Sequence, residues 1–133
     1  MHKKNIITTD QAPKAIGPYS AAVSTGHLVF TAGQLGIDPS TSKLVDGGIQ
    51  PQTRQALTNL TAVLEAAGSS LEQVIKTTVF LKDISEFGQM NEVYGTFFTE
   101  NFPARSAIQV AALPLGASVE IEAIALLPDS SQD

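Results

Sequence analysis

Three charges stand inside one of the most apolar stretches of the chain. Between Phe102 and Leu126 (FPARSAIQVAALPLGASVEIEAIAL) the ionisable side chains are Arg105, Glu120 and Glu122. The stretch reads as two short strands, Arg105–Leu113 and Ser118–Leu127, joined by a Pro/Gly turn at Leu113-Pro114-Leu115-Gly116. A charge in such a strand is costly to bury unless it is paired or awaits a ligand. The commoner fate is for strand charges to face water from a half-buried sheet. The pattern therefore points either to a ligand site or to a solvated face.

Spacing narrows the choice. If the two strands form a hairpin turning near Leu115, Arg105 lies opposite a residue close to Ala125, and Glu120 opposite one close to Val110. The two charges are then about 16 Å apart along the ladder at ~3.3 Å per residue, too far for an ion pair within one hairpin. They would line one cleft if it lay between two copies of the chain. Both faces of the hairpin are apolar, with Ile108, Val110 and Ala112 on one parity and Ala107, Ala111 and Leu113 on the other. A sheet apolar on both sides calls for a second partner, most simply another copy.

Composition removes other chemistries. The chain has 133 residues, enough for one domain (1–133) with a real core. It contains no cysteine and no tryptophan, which excludes disulfides, thiol catalysis and thiolate metal sites. Its two histidines are peripheral, His2 near the terminus and His27 after Gly26, so no imidazole-held metal or His-based acid–base pair is expected. A formal charge of −5 with scattered Lys and Arg argues against a nucleic-acid surface. No apolar run approaches the roughly 20 residues of a membrane span, and the N-terminus lacks a signal-peptide core, so a soluble cytoplasmic protein is expected.

The elements that position the charges can be read in order. A short strand, 5–8, precedes a turn-rich segment with Pro13 and Gly17-Pro18 leading to Tyr19. Strands 20–24 and 28–32 flank a hairpin signal at Thr25-Gly26-His27. Gly33-Gln34-Leu35-Gly36 follows, where glycines let the backbone turn or approach a ligand, and then an exposed, mobile loop over 38–48. A helix over 51–67 has Pro51 at its first position, Gly68 at its left-handed end, and Leu57, Leu60, Leu64 and Ala67 as its stripe. A strand over 74–82 carries Ile75, Val79 and Leu81 on one face. Ser85 caps a second helix over 86–99, whose Phe87, Met90, Tyr94 and Phe97/Phe98 form the buried stripe. This order predicts an α+β fold, a six-stranded, mainly antiparallel sheet with both helices on one face.

GPYS (17–20), FTAGQLG (30–36), the leucine pattern of the first helix, VIKTTVFLKD (74–83), Asn91 with Tyr94, FPARSA and VEIEAIA together resemble the RidA/YjgF family, over about residues 6–127. The resemblance implies a chorismate-mutase-like fold and a homotrimer with clefts between subunits. It implies hydrolytic deamination of reactive enamine/imine intermediates (2-aminoacrylate and 2-iminopropanoate type) to 2-keto acids and ammonia, with no cofactor and no metal. Matched residue by residue, Arg105 grips the substrate carboxylate, a role that suits a planar guanidinium better than a lysine. Glu120 holds or activates the attacking water as general base. Tyr19 lines the cleft and donates or relays a proton, Asn91 lies nearby, and the backbones of Gly33 and Ala107 supply donors. Glu122 shares the parity of Glu120 and is read as structural. Where family members often carry Ser and Cys, this chain has Ala32 and Ala107; the second change leaves the backbone donor intact.

Two other classes stay open at this level. A non-catalytic trimer could bind small keto or amino acids in the same cleft, since a carboxylate clamp serves a sensor as well as an enzyme. An RNA-cleaving translation inhibitor is also claimed within the family, but it would need phosphate contacts and a proton-transfer pair that this acidic chain does not supply.

Overall fold

In the computed structural model, which describes residues 3–128, one sheet carries both helices on one face. His2 lies outside the described residues. The elements are β1 (Asn5–Ile7), β2 (Ala22–Thr25), β3 (Leu28–Thr31), β4 (Gln34–Leu35), β5 (Ile37–Asp38), β6 (Lys43–Leu44), α1 (Ile49–Ala66), β7 (Val74–Leu81), α2 (Phe87–Phe97), β8 (Ala104–Gln109) and β9 (Val119–Leu126). Six strands run in the order β1-β2-β3-β9-β7-β8, and β4 adds a seventh by pairing with β9 beyond the end of β3. Every pairing is antiparallel except β7 with β8. The expected α+β architecture is therefore present.

Alternation decides what is buried. Val119, Ile121, Ala123 and Ala125 of β9 point into the core together with Thr77, Val79 and Leu81 of β7. Against them pack Leu57, Leu60, Val63 and Leu64 of α1 and Met90 and Tyr94 of α2. The helix stripes are those the 3.6-residue period gives. Gly68 closes α1 at φ 88, with Gly68 N–H bonded to Glu65 O and Ser69 N–H to Leu64 O, the paired bonds of a left-handed helix end.

The expected 105–113/118–127 hairpin does not form. The strand β8 lies parallel to β7, reached through the α2 crossover, and β9 pairs with the other side of β7 as well as with β3 and β4. Parallel neighbours need such a crossover, and a helix of 11 residues supplies it here. The polar, largely exposed β8 takes the edge, while the evenly alternating β9 takes the centre.

Three local expectations also change. A register shift between Val74 and Lys76 turns Ile75 outward, 42% exposed, so Val74 takes the buried place expected of Ile75. The turn before α2 is capped by Asp83, whose Oδ1 accepts from both the N–H and the hydroxyl of Ser85. Ser85 is thus the donor and Asp83 the cap. The loop over 38–48 contains the small β5/β6 ladder, with Asp38 Oδ1 accepting from Ser40 N–H and Oγ at its turn.

Candidate functional site

Arg105 stands on the edge strand and points to the helix-covered side, because it pairs with the buried Thr77. Its Nη1 donates to Asn91 Oδ1 at 2.7 Å. Its guanidinium lies 5.2 Å from the centre of the Phe87 ring and 4.7 Å from that of Tyr94. Phe87, Asn91 and Tyr94 follow one another at i, i+4 and i+7 on α2, so a single helical face makes the cradle. Tyr94 is itself fixed by a 2.8 Å bond between its hydroxyl and Thr77 Oγ1 in the core, and burial pushes its phenol up. The guanidinium is exposed and held by Asn91 and the two rings, and its fork of donors suits an anion such as a carboxylate.

The backbone beside it is also available. Val110 N–H bonds to Leu81 O, so the even-numbered residues of β8 face β7. The N–H of Ala107, on the opposite parity, points out of the free edge.

Glu120 lies on the other face. It pairs with Phe80 of β7 and Leu35 of β4, and its side chain leaves the sheet away from the helices. It enters a cleft of about 920 Å³ that Tyr19, Ala32, Gly33, Leu35 and Leu115 also line. Burial, and next the like charge of Glu122 two residues along the same face, raise the Glu120 carboxyl above its ordinary value. That is the direction a general base working near neutral pH requires. Tyr19 is held in a turn: its hydroxyl accepts from Ile16 N–H at 3.3 Å and its N–H donates to Gly17 O, which leaves the phenolic proton free to donate. Gly33 packs directly on Glu120.

The six residues expected at the site thus fall into two groups. Arg105, Asn91 and Ala107 gather at the β8 edge on the helix side; Tyr19, Gly33 and Glu120 gather in the cleft on the open side. Along the ladder Arg105 and Glu120 are three residues and two strands apart, roughly 10 Å in each direction, and they project from opposite faces. The separation expected within one chain holds, for a different reason from the hairpin first supposed. No group of three or more His, Cys, Asp or Glu that could hold a metal occurs among the described residues.

In the sequence Phe87 and Tyr94 read as part of the buried stripe, with Tyr94 beside Asn91 also in the family resemblance, and neither as a partner of Arg105. Their spacing around Asn91 was the available signal, since two aromatics flanking a polar residue on one helical face can cradle a cation. The tight fit of Gly33 on Glu120 had no signal in the sequence, because it depends on β4 lying beside β9.

The chain is similar to known proteins in sequence and in fold. A family model described as Endoribonuclease L-PSP matches residues 9–127. A human protein named 2-iminobutanoate/2-iminopropanoate deaminase is 50% identical over 123 residues, 92% of this chain and 90% of that protein. A RutC family protein of Pyrococcus horikoshii is 55% identical over 122 residues, 92% of this chain and 97% of that one. Among solved structures, E. coli TdcF with bound serine has a TM-score of 0.89 at 45% identity, covering 93% of this chain and 99% of that one.

Proposed function

The chain belongs to the RidA/YjgF family, and from that premise we propose that it hydrolyses reactive 2-imino acids and their enamine tautomers to 2-keto acids and ammonia. The observation that carries the reading is the pair of half-sites. A guanidinium is held by Asn91 and Tyr94 at an open sheet edge, and a carboxylate with a raised pKa waits in a mainly apolar cleft, in a chain half identical to proteins named for this deamination.

The two half-sites face opposite ways, so the complete site takes its guanidinium from one copy and its carboxylate from the next. A homotrimer closes three such clefts. The open face of the sheet supports association, since it exposes Ile6, Phe30, Ile108 and Leu126 at 52, 42, 47 and 40%. In the composite cleft Arg105 and the Ala107 amide bind the substrate carboxylate, and Asn91 keeps the guanidinium in place. Glu120 takes a proton from water as its oxygen adds to the C=N carbon. That proton goes to nitrogen, giving a carbinolamine. Glu120 then takes the proton of the new hydroxyl and passes it to the amino group, so the C–N bond breaks and ammonia leaves as the carbonyl forms. The Tyr19 hydroxyl donates to the developing charge, and the Gly33 backbone lines the wall. No step calls for a cofactor.

The serine bound to TdcF supports a carboxylate-bearing ligand for this cleft. It is equally what a sensor of small amino or keto acids would bind. A cytoplasmic, single-domain protein of this type fits the interception of short-lived products of pyridoxal-phosphate enzymes. No helix among the described residues is long and apolar enough to cross a membrane.

The test is keto-acid release from 2-aminoacrylate or 2-iminobutanoate generated in situ by a pyridoxal-phosphate dehydratase. Wild type is compared with Arg105→Ala and Glu120→Gln. Acceleration by wild type and by neither variant is the expected result. Binding of keto acid without any acceleration assigns the sensor role instead. Because the family model bears the description endoribonuclease, an oligoribonucleotide belongs in the same assay; cleavage lost in Glu120→Gln overturns the deaminase reading.

A further inference from the structure

We propose that Gly33 is a positioning residue for Glu120, and that the missing side chain at 33 sets where the carboxylate points. The proposal rests on the reading of Glu120 as the base and adds what holds it there.

A Cβ built on Gly33 would lie 2.6 Å from Glu120 Oε2, 2.7 Å from Cδ and 2.8 Å from Cγ. Three successive atoms are struck together, so rotating the carboxyl group alone gives no relief. The whole outer half of the side chain has to move. Gly33 is not among the residues with positive φ, so its backbone would accept a side chain. The glycine answers a demand for space.

The local topology creates that demand. Pairing of β3 with β9 stops at Phe30–Ile124 and resumes on β4 at Gln34–Ile121. Four steps on one strand thus face three on the other, which inserts one extra residue. Within the break, Ala123 N–H turns to the Thr31 hydroxyl at 3.0 Å and Ala32 N–H bonds to Ala21 O. The bulge lays the Gly33 Cα against the Glu120 side chain. On its other flank Phe80 of β7 pairs with Glu120, so the side chain rises between that neighbour and the glycine. The carboxylate is half-buried, and the same packing keeps its proton affinity high.

Alanine at 33 keeps the backbone N–H, so it separates a steric role from a donor role. The experiment is a double-mutant cycle of Gly33→Ala and Glu120→Ala, read by thermal melting and by imine turnover. With Glu120 present, Gly33→Ala is expected to lower the melting temperature by about 5 °C, an overpacking effect. It should lower kcat about 100-fold with KM little changed, as expected when a reacting group is misplaced by about 1 Å. The acid limb of its pH profile should move to lower pH, because the displaced carboxylate is better hydrated. In the Glu120→Ala background, where turnover is already lost, the melting effect of Gly33→Ala should vanish. If Gly33→Ala alone does not fold while the double variant does, the steric coupling is shown by that alone. Equal melting losses in both backgrounds overturn the proposal. The melting cycle does not depend on turnover: coupling in melting with no wild-type turnover refutes the deaminase reading, and with it any use of the contact in catalysis.

Discussion

Replacing Arg105 by lysine keeps the charge and removes the shape, which makes it the sharpest test of the clamp. Lysine offers a substrate carboxylate a point charge, so one of two parallel charge-assisted bonds is lost, a loss of about 1.5–3 kcal/mol. The cation–ring contacts with Phe87 and Tyr94, at 5.2 and 4.7 Å from the ring centres, contribute about 0.5–1 kcal/mol for each ring at an exposed site, and lysine keeps part of this. The sum is about 2–4 kcal/mol, equivalent to a fall of roughly 30- to 1000-fold in kcat/KM. Most of it should appear in KM, because a clamp of this kind grips the carboxylate equally in the ground state and the transition state. The assay is initial-rate keto-acid formation over a range of imine supply, with melting temperature as control. Arg105 is exposed, so melting should move little. A loss smaller than threefold, or one that follows a fall in melting temperature, would refute the clamp.

Three further outcomes are expected. Glu122→Gln removes the lesser of the two causes that raise the Glu120 carboxyl; the acid limb of the activity profile should shift to lower pH but stay above that of an exposed glutamate, since burial remains. Glu120→Gln should raise the melting temperature near neutral pH. A carboxyl whose folded pKa is raised favours the fold when protonated, so its ionised form costs stability once the pH passes the folded value, and the gain should disappear below the ordinary glutamate range. Asn59→Ala should cost about 2–4 kcal/mol in denaturant unfolding, because the buried amide donates to Leu35 O and Ile37 O at 3.1 and 2.8 Å and both carbonyls lose that donor. A loss under ~0.5 kcal/mol would show that water replaces the amide.

Periodicity and punctuation made much of the fold legible. The stripe Leu57, Leu60, Leu64 and the stop at Gly68 are local facts, written in 3.6-residue spacing and in a glycine that tolerates φ 88. So is the alternation of β9, which fixes Glu120 and Glu122 on the face opposite Val119, Ile121 and Ala123. The candidate site was legible as residue types: a lone guanidinium, a carboxylate in an apolar strand, a tyrosine after a Gly-Pro turn.

Strand order could not be read the same way. Whether β8 pairs with β9 or with β7 depends on α2 carrying the chain across the sheet, and a short turn at Pro114–Gly116 suits either arrangement. Ile75 reads as core by alternation and is exposed because of a register shift that only the neighbouring strand defines.

The sequence by itself determined the two helices, the main strands, most of their buried faces and the chemistry on offer, because helix and strand periods are properties of a single segment. Tertiary structure alone decided that Arg105 and Glu120 project from opposite faces, that Phe87 and Tyr94 cradle the guanidinium, and that Gly33 lies against the Glu120 side chain. Each of these is a contact between residues distant in the chain, set by which strand lies beside which.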